Sequence, residues 1–341
     1  MKFGKITMFL TAATLAGSML LTGCGGESNS SSSSNTKDDG NVLVVYNCNT
    51  DDWTAPIVKE FQEETGIEVQ LVSGGSGELM ARVKAEKDNP LGDVMWGGSG
   101  DSYLALSPYL EPYESPEKAN INPQFVVADN SFYNITMDPY VIAYNTDLVN
   151  PGEAPTGWKD LLDPKWKGKI AIADPAKSSS TYAVLLTMMD KLGGDPAIVN
   201  QLVKNLDGKI ASGSAAQIKS LSDGEYALTA TFEEAVMKYI VNGSHMKIVY
   251  PSEGTAISTG GIGIIKGAKH MENAKKFIDF AMSKKVHERF AQYQRRSTRT
   301  DIPAPSDLKP ISEINYVPFD TKHAVEYKDT FLGLWRKAVT Q

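Results

Sequence analysis

From Asn41 onward the chain alternates short apolar runs with stretches in which apolar residues recur every three or four positions. The run Val42-Leu43-Val44-Val45-Tyr46 predicts a buried strand, and Ile57, Val58 and Phe61 behind it fall on one face of a helix. Val69 to Val72 predicts a second strand, a helix follows through Leu79 and Val83, and Asp93-Val94-Met95-Trp96 predicts a third strand. Such alternation implies parallel strands joined by crossover helices. A second series comprises the strand Lys169 to Ala173, a helix from about Ser180 to Leu192, another opened by Asp195-Pro196, and the strand Tyr226 to Ala230. Between the series lie Tyr140 to Tyr144 and, later, Lys247 to Tyr250 followed by Gly261 to Ile265. These crossings predict two α/β lobes joined by a two-stranded hinge, the first from 41–138 with 257–341 and the second from 139–256. Helical patterns from Glu272 to Gln292 and from Val325 to Val339 are expected to pack on the first lobe.

Ahead of this body the pattern differs. Lys2 and Lys5 precede an apolar run from Ile6 to Leu21 that ends in Leu21-Thr22-Gly23-Cys24, a secretory signal with a lipobox. The run is interrupted by Thr7, Thr11, Thr14 and Ser18 and is short for a bilayer span. It resembles the leader of bacterial lipoproteins, which implies a signal peptide over 1–23 and a lipid on Cys24, anchoring the chain to the bacterial cell membrane from outside the cytoplasm. Residues 24–40 are Ser, Asn, Gly and charge, and predict a flexible tether.

A formal net charge of -7 argues against nucleic acid or anionic lipid as a partner. With Cys24 lipidated, Cys48 has no disulfide partner; it is expected to be a small buried residue near a cleft and a convenient labelling site. Enzyme motifs fail in turn. Gly74-Gly75-Ser76-Gly77-Glu78 and Gly97-Gly98-Ser99-Gly100-Asp101 lack the final glycine of a nucleophile elbow, so a secreted α/β hydrolase is the weaker alternative. There is no Walker A lysine, GxGxxG or HExxH, and no cofactor or metal is called for.

In open α/β sheets ligands bind beyond the carboxyl ends of the strands. The residues there are small and polar: Asn47 to Asp51, including Asn49 and Thr50; Ser73 to Glu78, including Ser76 and Gly77; Gly97 to Asp101, including Ser99; and Asp174 to Thr181, including Ser178, Ser179 and Ser180. Each opens a helix, whose exposed N–H groups and positive dipole end suit an anion. Any one of these loops alone reads as an ordinary N-capped turn. Thr231 and Glu234 have capping-box spacing, which leaves Glu233 to accept from a ligand hydroxyl or amine. Glu253 is a similar candidate near the hinge, and Arg295, Arg296 and Arg299 predict local ion pairs.

Ser73 to Glu86 (SGGSGELMARVKAE), Gly92 to Gly98, Pro139 to Leu148, Trp166 to Lys169, Asp174 to Ala176 and Val249 to Thr255 resemble family 1 extracellular solute-binding proteins over nearly the whole mature chain. The resemblance implies a type II periplasmic-binding-protein fold, a monomer whose lobes close over a solute, and delivery to a cognate ABC permease and ATPase. The segments are closest to members for ferric iron, aminoethylphosphonate or sugar phosphates. Ferric binders carry adjacent tyrosines where this chain has Thr231-Phe232-Glu233-Glu234. By the same resemblance, Ser178 to Ser180 match an anion-holding segment and Glu233 an acidic position for the ligand's other end. A phosphorylated or phosphonate organic anion is therefore expected, with ferric iron as the alternative.

Overall fold

The computed structural model describes residues 39–341. The expected signal peptide, Cys24 and all but the end of the tether lie outside the described residues. Asp39–Asn41 form a single 3-10 turn, and the Asn273 side-chain amide donates to the carbonyls of Gly40 and Val42, each at 3.0 Å, so the body is fastened from Gly40.

The first lobe opens with β1 (Val42–Asn47), α1 (Asp51–Thr65), β2 (Glu68–Ser73), α2 (Ser76–Ala85), β3 (Val94–Ser99) and α3 (Gly100–Leu104). β1 pairs in parallel with both β2 and β3, as the alternating pattern requires. A short strand β4 (Leu110–Glu111) follows, then the long strand β5 (Tyr133–Asn145). The second lobe holds β6 (Ile170–Ala171), α4 (Ser179–Lys191), α5 (Ala197–Leu206), α6 (Ser214–Ser222), β7 (Leu228–Phe232), α7 (Glu233–Ile240) and β8 (Met246–Val249). The chain returns through β9 (Thr255–Ile265), α8 (Met271–Met282), α9 (Lys284–Phe290), β10 (Arg296–Ser297) and β11 (Tyr316–Pro318), and ends in α10 (Thr321–Val339).

One strand path, β2-β1-β3-β9-β5-β7-β6, runs through both lobes. β5 joins them: Tyr133 to Pro139 pair with β9, and from Tyr140 onward the same strand pairs with β7 and β8. β5 and the β8–β9 return are thus the two hinge strands.

The first lobe's sheet is covered on one face by Trp53, Ile57, Phe61, Phe277 and Phe290, and on the other by Leu79, Met80, Val83 and Tyr103. Trp53 and Trp96 meet edge to face at 5.3 Å, and Trp96 meets Phe277 at 5.4 Å. The second lobe's core gathers Ile142, Trp158, Leu185, Leu202 and Leu228, together with Phe331 and Trp335 of α10. The expectation that both C-terminal helices pack on the first lobe therefore fails for α10. Burial of Phe331 and Trp335 at about 2 kcal/mol each holds this helix on the second lobe, and the Tyr182 hydroxyl donates to the Ala324 carbonyl at 2.5 Å. The single helix expected from Glu272 to Gln292 is broken at Ser283, which caps α9 by accepting from Val286 N–H.

Candidate functional site

Strand register brings the carboxyl ends of both lobes to one line. Ser99 at the end of β3 lies opposite Gly260 of β9, whose neighbouring residues Thr259 to Ile257 pair with Met137 to Pro139 of β5. From the other lobe, Phe232 at the end of β7 lies opposite Tyr140. The ends of β1, β2, β3, β6 and β7 therefore converge on the point where β5 passes between lobes, and the helices that follow them start there.

The first-lobe loops touch one another. Cys48 N–H donates to the Trp96 carbonyl at 2.8 Å and Gly74 N–H to the Asn47 carbonyl at 3.1 Å. Gly97 and Gly98 have φ of +92° and +84°, and a Cβ on them would lie 2.5 Å from the Asn49 amide and 3.2 Å from Ser76 Cβ. Glycine is required here for backbone shape and for close packing of the loops.

Asn49 is half-buried and bonded to Asn47 Oδ1. Thr50 is exposed and spends its hydroxyl on Asp52, leaving the first turn of α1 without a side-chain cap. Ser76 is half-buried and Gly77 exposed in the first turn of α2, which is capped only by Gly75. Ser99 precedes α3 and bonds Ser102 Oγ at 3.0 Å. Across the cleft, Ser178 is buried and already used: its hydroxyl accepts from Thr181 N–H at 3.2 Å and from Thr181 Oγ1–H at 2.9 Å. Ser179 is exposed and Ser180 half-buried at the start of α4.

Two sequence-based candidates have other tasks. Glu233 is 1 % exposed, and its carboxylate takes Arg296 Nε–H at 2.6 Å, Arg296 Nη2–H at 2.9 Å and the Tyr250 hydroxyl. It is the buried partner of a cation from the other lobe and does not face an open cleft. Glu253 accepts the backbone N–H groups of Trp158 and Lys159, both at 3.0 Å, and so caps the 3-10 helix Trp158–Leu162. The capping box expected of Thr231 and Glu234 is also replaced: Phe232 is the N-cap of α7, and Asp138 Oδ1 accepts from Glu234 N–H at 3.0 Å. Close neighbours explain the raised Asp138 pKa, through burial first and then Glu234. Cys48 is half-buried, and burial pushes its thiol up to about 12, which lowers the fraction present as reactive thiolate.

A site element that the sequence reading missed is Ser212-Gly213-Ser214. Ala211 bridges in parallel to Ala173, so the segments that lead into α4 and α6 run side by side, and α6 has Gly213 as N-cap and no side-chain cap. Gln217 ties α6 to the neighbouring strands: its Oε1 accepts from Ala173 N–H at 2.7 Å, and its Nε2 donates to Thr229 Oγ1 and the Ala230 carbonyl, each at 2.7 Å. The first turns of α4 and α6 carry no acidic residue. Those of α1, α2 and α3 carry Asp51 and Asp52, Glu78, and Asp101. Burial lifts the Asp101 pKa, against a bond from the Thr321 hydroxyl.

Residues 103–320 match the profile of a family described as bacterial extracellular solute-binding protein. The chain belongs to this family. Among its relatives are an uncharacterized protein of Haemophilus influenzae, 31 % identical over 99 % of both chains, and Iron uptake protein A1 of Synechocystis, 27 % identical over 84 % of both. The periplasmic binding protein AfuA of Actinobacillus pleuropneumoniae, solved with fructose-6-phosphate, superposes with a TM-score of 0.71 at 27 % identity, covering 87 % of this chain and 98 % of AfuA. This extracellular solute-binding protein has the type II periplasmic-binding-protein fold, is a receptor of the ABC-importer class and acts outside the cytoplasm. No helix among the described residues is long and apolar enough to cross a membrane.

Proposed function

We propose that this receptor captures a small phosphorylated or phosphonate organic anion, holding its charged end at the paired starts of α4 and α6. Its hydroxyl or amine end faces the carboxylate-bearing helix starts of the first lobe. The observation that carries this reading is that two acid-free, serine-bearing helix starts follow segments bridged side by side, with Ser179, Ser180 and Ser214 in their first turns. Asn49, Thr50, Ser76, Gly77 and Ser99 would contact the rest of the solute. AfuA, with its bound sugar phosphate, supports the same class. The ferric alternative meets an obstacle where a tyrosine pair would stand: Phe232 occupies that stretch, stacked on Tyr140 with ring centroids 4.8 Å apart, and offers no phenolate.

The protein is read as a monomer tethered by lipid on Cys24, delivering solute to its permease and ATPase without chemical change. A thermal-shift panel on the full chain tests the solute class, because binding to the native state raises its melting temperature. Fructose 6-phosphate or aminoethylphosphonate should raise it by several degrees, and Ser179→Asp should abolish the shift by repulsion. A shift with ferric citrate alone would overturn the reading.

A further inference from the structure

Two consecutive arginines reach from the first lobe to two consecutive glutamates of the second, and the two pairs differ. Arg296 and Glu233 are enclosed, with side chains 1 % and 2 % exposed. Arg296 also donates to the Lys309 carbonyl at 2.7 Å and to the Tyr250 hydroxyl at 3.2 Å. This pair cannot open without stranding a buried charge. Arg295 Nη2 donates to Glu234 Oε1 at 2.8 Å, with side chains 14 % and 18 % exposed. Both partners have somewhere to go if that contact breaks. Glu234 is also paired with Lys238 at 3.0 Å, and the Arg295 guanidinium lies over the Trp53 ring, 4.5 Å from its centroid. Asp52, one residue from Trp53, has its pKa lowered first by the Thr50 hydroxyl and further by the charges of Lys238 and Arg295. Asp52 and Arg295 of the first lobe thus face Lys238 and Glu234 of the second, each positive group near a negative one.

We propose that Arg295 and Glu234 form an interlobe latch that holds α1 and α7 together beside the cleft and sets how tightly the receptor closes on its solute. The fixed pair Arg296–Glu233 serves as the pivot, and the less enclosed pair makes and breaks as the lobes move. A contact made only in the closed state shifts the closing equilibrium by its own free energy. A partly screened ion pair of this kind is worth roughly a fivefold factor, or about 1 kcal/mol.

The test uses the full chain with Arg295→Gln, Glu234→Gln and the double variant. Small-angle X-ray scattering without solute reads lobe separation, at low ionic strength and at about 0.5 M salt. Titration with fructose 6-phosphate reads affinity. Each single variant should enlarge the solute-free radius of gyration and weaken binding about fivefold. The double variant should be no worse than either single one, since one shared contact is lost only once. High salt should open the wild type and leave the variants unchanged. Wild-type scattering from both single variants, or additive losses in the double variant, would overturn the latch. The affinity arm rests on the sugar-phosphate reading. If fructose 6-phosphate binds no form of the protein, that reading fails, and the solute-free scattering alone decides the latch.

Discussion

The two lobes bring helix starts to the same cleft with opposite electrostatic character. In the first lobe, Asp51, Asp52, Glu78 and Asp101 already satisfy the positive ends of α1, α2 and α3. In the second, α4 and α6 carry no acid in their first turns. α7 does carry two, Glu233 and Glu234, but both are neutralised by arginines that the first lobe sends across. Counting small polar loops makes the lobes look alike; counting charges gives them different roles. On the proposed reading, the second lobe suits an anion, and the first lobe suits groups that donate hydrogen bonds.

The sharpest contrast within this arrangement lies between two acids at helix starts, buried Glu233 and half-buried Asp101. Glu233→Ala should cost about 3–5 kcal/mol in urea denaturation, because it strands the Arg296 charge in the interior. A loss below about 1 kcal/mol would mean that the pair is not a buried interlobe pivot. Asp101→Asn should have a smaller effect of the opposite sign. The folded-state pKa of Asp101 is raised by burial, so the folded protein holds its proton more tightly than the unfolded chain does. Its contribution to stability is therefore fully present at low pH and is lost as pH rises through the raised value. At pH 7 the variant should be neutral or up to about 1 kcal/mol more stable than wild type, with the gap closing as pH falls, as melting temperatures across pH would report. Clear destabilisation at neutral pH would make Asp101 a structural cap for α3 and remove it from the solute side.

The fold was legible where burial leaves a periodic trace. β1, β2 and β3 and the helices between them follow from apolar runs and three-to-four spacing alone. Legibility failed where a strand has one polar face: residues 133–139 alternate buried and half-buried positions through Asn134, Thr136 and Asp138, so only the fully buried half of β5 stood out. α6 was missed because its buried face is little more than Gln217, Ile218 and Leu221. Among the site residues, the strand-end loops were found by position. The roles of Glu233 and Glu253 were not, because their partners lie 63 and 95 residues away, and a distant cation or an uncapped helix start leaves no local pattern. The same holds for α10, whose apolar stripe does not say which lobe it covers.

The central claim, that the charged end of the solute docks at the starts of α4 and α6, is most directly tested by backbone amide NMR of the full chain during titration with fructose 6-phosphate. The amides of Ser179 and Ser180 and of Ser214 to Ala216 should shift most, since a phosphate accepting their hydrogen bonds deshields them. Titration with inorganic phosphate should move the same amides and leave those of Asp52 and Trp53 in place. Shifts concentrated at the first-lobe helix starts, with Ser179 and Ser214 unmoved, would contradict it.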